Sequence, residues 1–178
     1  ATYLLNCQLK ANGKLLVEGR KGVIIGGKTC AKLGVSCNGI GNIAEIATVV
    51  SVGIDKEDMT AYQELQKKIE QTQAELQTCE NGLNKLMANS VHDEKVSMMI
   101  QRLTRAVYTL KSSRKELFSE RDAQMEQMTK QKEARIQVSG RAYPGTLLFL
   151  NEDPFAIKEI YNNVEFVKHD NHIDTLAH

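Results

Sequence analysis

Between Ile54 and Ser139 the chain contains one glycine, Gly82, and no proline. Helix interiors exclude both residue types, whereas short strands joined by tight turns need them. The rest of the glycine sits elsewhere. Nine of the twelve glycines precede residue 54, and both prolines, Pro144 and Pro154, follow the gap. The sequence therefore predicts three segments: 1–54 (β with turns), 55–135 (α) and 136–178 (β with turns). The stretch "IATVVSVGIDKEDM", residues 46–59, carries the first change, from a β-branched run to a helix start after Gly53.

The middle segment has a period. Tyr62, Leu65, Ile69, Thr72, Leu76, Cys79, Leu83 and Leu86 are spaced alternately three and four apart. So are Val96, Ile100, Leu103, Val107, Leu110, Arg114, Leu117, Arg121, Gln124 and Met128. A repeat of 3.5 residues is the seam of a coiled coil. The candidate site is the apolar part of that seam: Tyr62, Leu65, Ile69, Leu76, Leu83, Leu86, Val96, Ile100, Leu103, Val107, Leu110 and Leu117. Between the runs lies "NSVHDEK", where Asn89 and Ser90 can end one helix and Ser90 or Asp93 can cap the next. A link this short predicts antiparallel helices of about 35 residues, roughly 50 Å long. His92 falls at the predicted tip.

Charge favours the pairing. Residues 57–80 carry six acids against Lys67 and Lys68, whereas residues 95–115 carry six bases and no acid. Arg114 and Arg121 occupy seam positions, where a charge needs a partner; Glu64, Glu70 and Asp58 are the candidates. An antiparallel pair leaves and returns within about 10 Å of itself. Segments one and three are therefore expected to form a single β domain, with the arm growing from one turn.

In the first segment, "KLLVEG", "GVIIGG", "GVSCNG" and "IATVVSV" read as short strands, with turns at Asn12-Gly13, Gly26-Gly27 and Asn38-Gly39. Small side chains are common and no internal repeat is evident, so a stacked solenoid and a small open barrel both fit. In the third, Asn162-Asn163 and Asp170-Asn171 read as turns. They imply a terminal antiparallel meander with strands near 156–161, 164–168 and 172–176.

The order of these elements resembles the flagellar assembly protein A family. The shared features are Gly26-Gly27 with Ala31, the Ile40-Gly41 step, Thr48 to Gly53 running into an acidic helix start, the coiled coil, and a return strand with Gly140 and Tyr143-Pro144-Gly145. The resemblance covers roughly residues 20 to 170. At Thr146 the chain departs from the family's usual Val. The resemblance implies a right-handed parallel β-helix interrupted by a long antiparallel coiled-coil hairpin. It also implies a piece of a longer bacterial cytoplasmic protein required for flagellation, which fits a chain that opens without Met directly in strand-like sequence.

Motifs that carry chemistry are weak. "GIGNIA", residues 39–44, matches a dinucleotide-binding fingerprint, but the segment after it is too short and β-branched for the phosphate-binding helix; it reads as a turn. His169 and His172, near Asp170 and Asp174, read as a solvated turn and not as metal ligands. Cys7, Cys30, Cys37 and Cys79 form no CxxC pair and read as reduced thiols. A net charge of +1, 5% aromatics and no Trp point neither to nucleic acid nor to a ring-rich enzyme core. No apolar run approaches the roughly 18 residues that span a bilayer.

The expectation is a non-catalytic scaffold without cofactor or metal. It would bind protein partners of the flagellar or polar-placement machinery, with a homo-oligomer through the seam as an option. Nucleic acid on the basic stretch Lys95 to Lys115 is the rival reading. A further alternative is a β-helix like that of a division inhibitor, binding a membrane-associated ATPase.

Overall fold

Strands too short to cover a core alone can bury their apolar side by stacking on one another. The computed structural model describes residues 2–88, 93–170 and 172–177. Strands β1 (Tyr3–Ala11), β2 (Leu15–Val17), β3 (Val23–Ala31), β4 (Val35–Ile40) and β5 (Thr48–Val52) come first. Helices α1 (Lys56–Ala88) and α2 (Glu94–Lys132) follow, and then β6 (Ile136–Ala142), β7 (Thr146–Leu150), β8 (Asp153–Ala156), β9 (Tyr161–His169) and β10 (His172–Ala177). The chain divides into two units, Ala1–Met59 with Glu126–His178, and Thr60–Met125.

The first unit carries a ten-stranded mixed sheet built by skipping one strand at a time. β1, β3, β5 and β7 form one parallel ladder, in which Ala11, Ala31, Val52 and Leu150 stand in register. β2, β4 and β6 form a second, in which Leu15, Val35 and Ile136 stand in register. Pairing between β3 and β4 joins the two ladders. The first step from coil to coil is 20 residues, from Tyr3 to Val23. Alternate residues point inward, so β5 and β7 both read buried, half-buried, buried, half-buried, buried. The interior is a narrow stack that includes Ile24, Val35, Val50, Ile136 and Leu148, all fully buried. The result is a nearly closed, solenoid-like sheet.

Its far end is antiparallel. β8 lies on β7, β9 lies on β6, and β10 lies on β9. Phe155, Tyr161 and Phe166 cluster there, with ring centroids 5.5 to 6.4 Å apart. Such tilted rings fill space that the thin coil interior cannot.

Several strand boundaries correct the sequence reading. Gly26-Gly27 is not a turn. Both residues lie inside β3 with φ of 72° and 76°, which only glycine adopts cheaply, and they bend the strand without ending it. Asn38-Gly39 lies within β4, where the register with β6 shifts between Cys37 and Gly39. Asn162-Asn163 lies within β9, with Asn163 at φ 46° beside another register shift. Residues 157–160 are not strand. Ile157 is buried, and its N–H donates to the Thr146 carbonyl instead. Asp170 takes φ 48° at the β9–β10 connection, and Asn171 lies outside the described residues.

The place of the helices follows from the register. In the first coil the two ladders are joined by residues 12–14, and in the second by residues 32–34. In the third, the same junction is residues 53–135. Val52 stacks on Ala31 and Ile136 on Val35, so an insertion of two long helices stands where its neighbours have three-residue turns.

Candidate functional site

The candidate site is the helical insertion and the feet that hold it. Gly53 ends β5 at φ 89°, and a Cβ there would overlap Asn151 Oδ1. The next residue, Ile54, donates its N–H to that oxygen at 2.9 Å. Asn151 Nδ2 donates to the carbonyl of Lys132, the last residue of α2, at 3.2 Å. Its own N–H donates to the Val52 carbonyl at 2.9 Å. One side chain thus ties the exit and the return of the insertion.

Asp55 caps α1. Its Oδ1 accepts the Asp58 N–H at 2.9 Å, and the Asp58 carboxylate faces the Asp55 N–H at 3.4 Å, a reciprocal capping arrangement. Lys10 from β1 lies 3.3 Å from Asp55 and also pairs with Glu57, while Lys32 pairs with Asp58. Partial burial pushes the Asp55 carboxyl up, but the Asp58 N–H and Lys10 outweigh it and hold the group below its usual range. The hydrogen bonds to Glu57 and then Asp55 raise Lys10 in return. At the other foot, Gln131 and Ala134 are buried.

In the arm unit, the less exposed positions keep the alternation of three and four. Leu65, Ile69 and Leu76 are buried. Tyr62, Leu83, Leu86, Val96, Ile100, Leu103, Val107, Leu110 and Leu117 are half-buried. A Cβ on Gly82 would touch Leu103, and Lys111 pairs with Glu80 at 2.8 Å. Asp93 stands at the start of α2, where its Oδ1 accepts the Glu94 N–H at 2.7 Å. Asn89, Ser90 and His92 lie outside the described residues.

One charge expectation needs correction. Arg121 pairs with its neighbour Asp122 at 2.7 Å and stacks over Phe118, not with Glu64, Glu70 or Asp58. Asp58 is taken by Lys32. Between the acidic and basic helices, Glu80–Lys111 is the one ion pair among the described residues of the arm unit. Long side chains on exposed helix faces gain little by holding a pair, so most of them stay solvated.

The remaining motifs fall in structural places. Gly39 lies in β4, and Gly41, at φ 73°, packs beside Tyr143 and Thr146 at a coil corner. His169 and His172 face each other across β9 and β10, with His172 3.2 Å from Asp174. No cluster of three or more His, Cys, Asp or Glu suited to a metal occurs among the described residues. All four cysteines are free, and burial pushes the Cys37 thiol up to about 12. No helix of the described residues is long and apolar enough to cross a membrane.

The family model of the flagellar assembly protein A beta solenoid domain matches residues 1–173. The chain belongs to that family. The match takes in both ladders, the helical insertion and most of the antiparallel end of this solenoid domain. Neither a curated protein nor a solved structure matches the chain. Asn151, which binds both feet of the insertion in this domain, escaped the sequence reading. Its partner Ile54 is 97 residues away, and the only local sign is an Asn in a turn that tolerates positive φ.

Proposed function

We propose that this solenoid domain is a non-catalytic protein-interaction scaffold acting in flagellar assembly. In this reading the platform is a right-handed parallel β-helix formed by segments 1–54 and 136–178. Segment 55–135 is an antiparallel coiled-coil hairpin that offers a long surface to a protein partner. The site of action is the bacterial cytoplasm, in placement or regulation of the flagellar machinery at the cell pole. The observation that carries the reading is the family match over residues 1–173. The anchored insertion supports it: Asn151, Asp55 and the two lysines hold the feet of a structure that adds only Ala134, at its return foot, to the stacked core.

The test compares the wild-type protein with Leu76→Lys, which puts a charge at a buried arm position. Both are used as bait in extracts of the source cell and assayed for restoring flagella to a strain lacking the protein. The reading expects partners of the flagellar machinery on the wild type, their loss on the variant, and no restoration by the variant. Full restoration by a variant whose helix signal has fallen would contradict it.

One observation favours a nucleic-acid reading. Lys95, Arg102, Arg105 and Lys115 are exposed and carry no ion pair among the described residues. That reading requires binding to generic DNA or RNA that falls steeply with salt, whereas the scaffold reading expects none at about 150 mM.

A further inference from the structure

The arm unit carries an open apolar groove of ≈ 680 Å³ between its helices, lined by Ala74, Glu75 and Cys79 of α1 and by Ala106, Thr109 and Leu110 of α2. Beside the seam, α2 has a second stripe at alternating spacings of four and three: Arg102, Ala106, Thr109, Ser113 and Glu116. Residues so spaced share one helix face. Its middle is small, with Ala106 and Ser113 half-buried, and its ends are charged and exposed. Neither Arg102 nor Glu116 makes an ion pair among the described residues. Each stands seven residues from Thr109, on opposite sides, so about 10 Å along the axis in each direction.

We propose that two copies of the chain pair through this groove, their α2 helices antiparallel about a two-fold axis at Thr109. The two-fold brings Arg102 of one copy opposite Glu116 of the other, twice, with the small residues between them allowing close approach. A two-fold contact must be complementary to itself, and this stripe meets that demand through its reversed charges. A parallel pair would set Arg102 against Arg102 and Glu116 against Glu116. Glu75 in the groove and Glu116 on the stripe set negative charge near Arg102, which disfavours a polyanion on this face. The small side chains at Ala74 and Ala106 leave room for the facing helix. The proposal rests on the arm being an interaction surface, and it names the occupant as a second copy.

Sedimentation equilibrium of the full chain tests it, alongside Arg102→Glu, Glu116→Arg, the double swap and Ala106→Arg. The wild type should be a dimer. Each single charge reversal turns two attractive pairs into two repulsive ones and should weaken the dimer about tenfold. The double swap should return to within about threefold of the wild type, and Ala106→Arg should be monomeric. Circular dichroism should show unchanged helix content throughout. A wild type that is monomeric at about 100 μM overturns the proposal. So do single reversals that dimerise like the wild type, or a double swap as weak as the singles, because the contact then lies elsewhere. The scaffold reading fails separately. A monomeric protein whose arm is still required for flagella refutes only the pairing. A dimer whose arm is dispensable for flagella refutes only the scaffold.

Discussion

Asn151 accepts the backbone N–H of Ile54 on its Oδ1 at 2.9 Å. With its Nδ2 donating to the Lys132 carbonyl, one residue at the end of β7, on the coil after the interrupted one, closes the ring of chain that the insertion opens. A turn of three residues is held by its own length; an insertion of two helices needs a clamp.

Asn151→Ala should therefore destabilise the β unit by about 1–3 kcal/mol, because it leaves the Ile54 N–H without its acceptor in a partly buried place. Asn151→Asp keeps that acceptor but turns a second oxygen toward the Lys132 carbonyl, and should fall between. Urea unfolding followed at the strand signal gives the order.

Gly53→Ala should cost about 2 kcal/mol or more, since φ is 89° and the new methyl would overlap Asn151. Gly13→Ala is the control. Nothing lies within 4 Å of a Cβ there, and the change should be close to neutral. Equal losses at both sites would mean that the clamp is not the cause.

What could be read from sequence, and what could not, divides along the range of the interactions. The helical period was legible because Leu65, Ile69 and Leu76, all buried, are related by a local spacing that needs no partner to be seen. The 20-residue coil was not, because a stack accepts Leu9, Thr29, Val50 and Leu148 at the same place, so register is kept while identity is lost. The third coil is further hidden by the insertion, which puts Ile136 next to Val35 across 101 positions. Glycine pairs misled for a related reason. In a flat sheet Gly26-Gly27 would end a strand, but at a coil corner it bends one that continues.

Thr146 is almost fully buried, and its hydroxyl has no hydrogen-bond partner among the described residues. Its neighbour in register, Thr48, is satisfied: its hydroxyl accepts the Gly26 N–H and donates to the Ile46 carbonyl, each at 2.8 Å. Thr146→Val keeps the shape and removes a buried unpaired hydroxyl, so it should stabilise the β unit by about 1 kcal/mol, whereas Thr48→Val should destabilise it by a similar amount. Thermal melts of the two variants should move in opposite directions.

The Asp55 carboxyl is held below its usual range in the folded protein. Its contribution is therefore present above the unfolded value of about 3.9 and disappears as pH falls below that, through the lower folded value. Asp55→Asn keeps a capping oxygen but loses the charge. The wild type should be the more stable at pH 7, and the gap should close below about pH 4. A constant gap from pH 7 to pH 2 in urea midpoints would show that the charge plays no part.

The most direct test of the account replaces Gly53–Arg135 with Asn-Gly-Lys, the turn that joins the same ladders in the first coil. The account predicts that circular dichroism loses its helix signal and keeps its strand signal, with one cooperative melt of the shortened solenoid. Loss of the strand signal as well would contradict it, since the helices would then be part of the platform's fold.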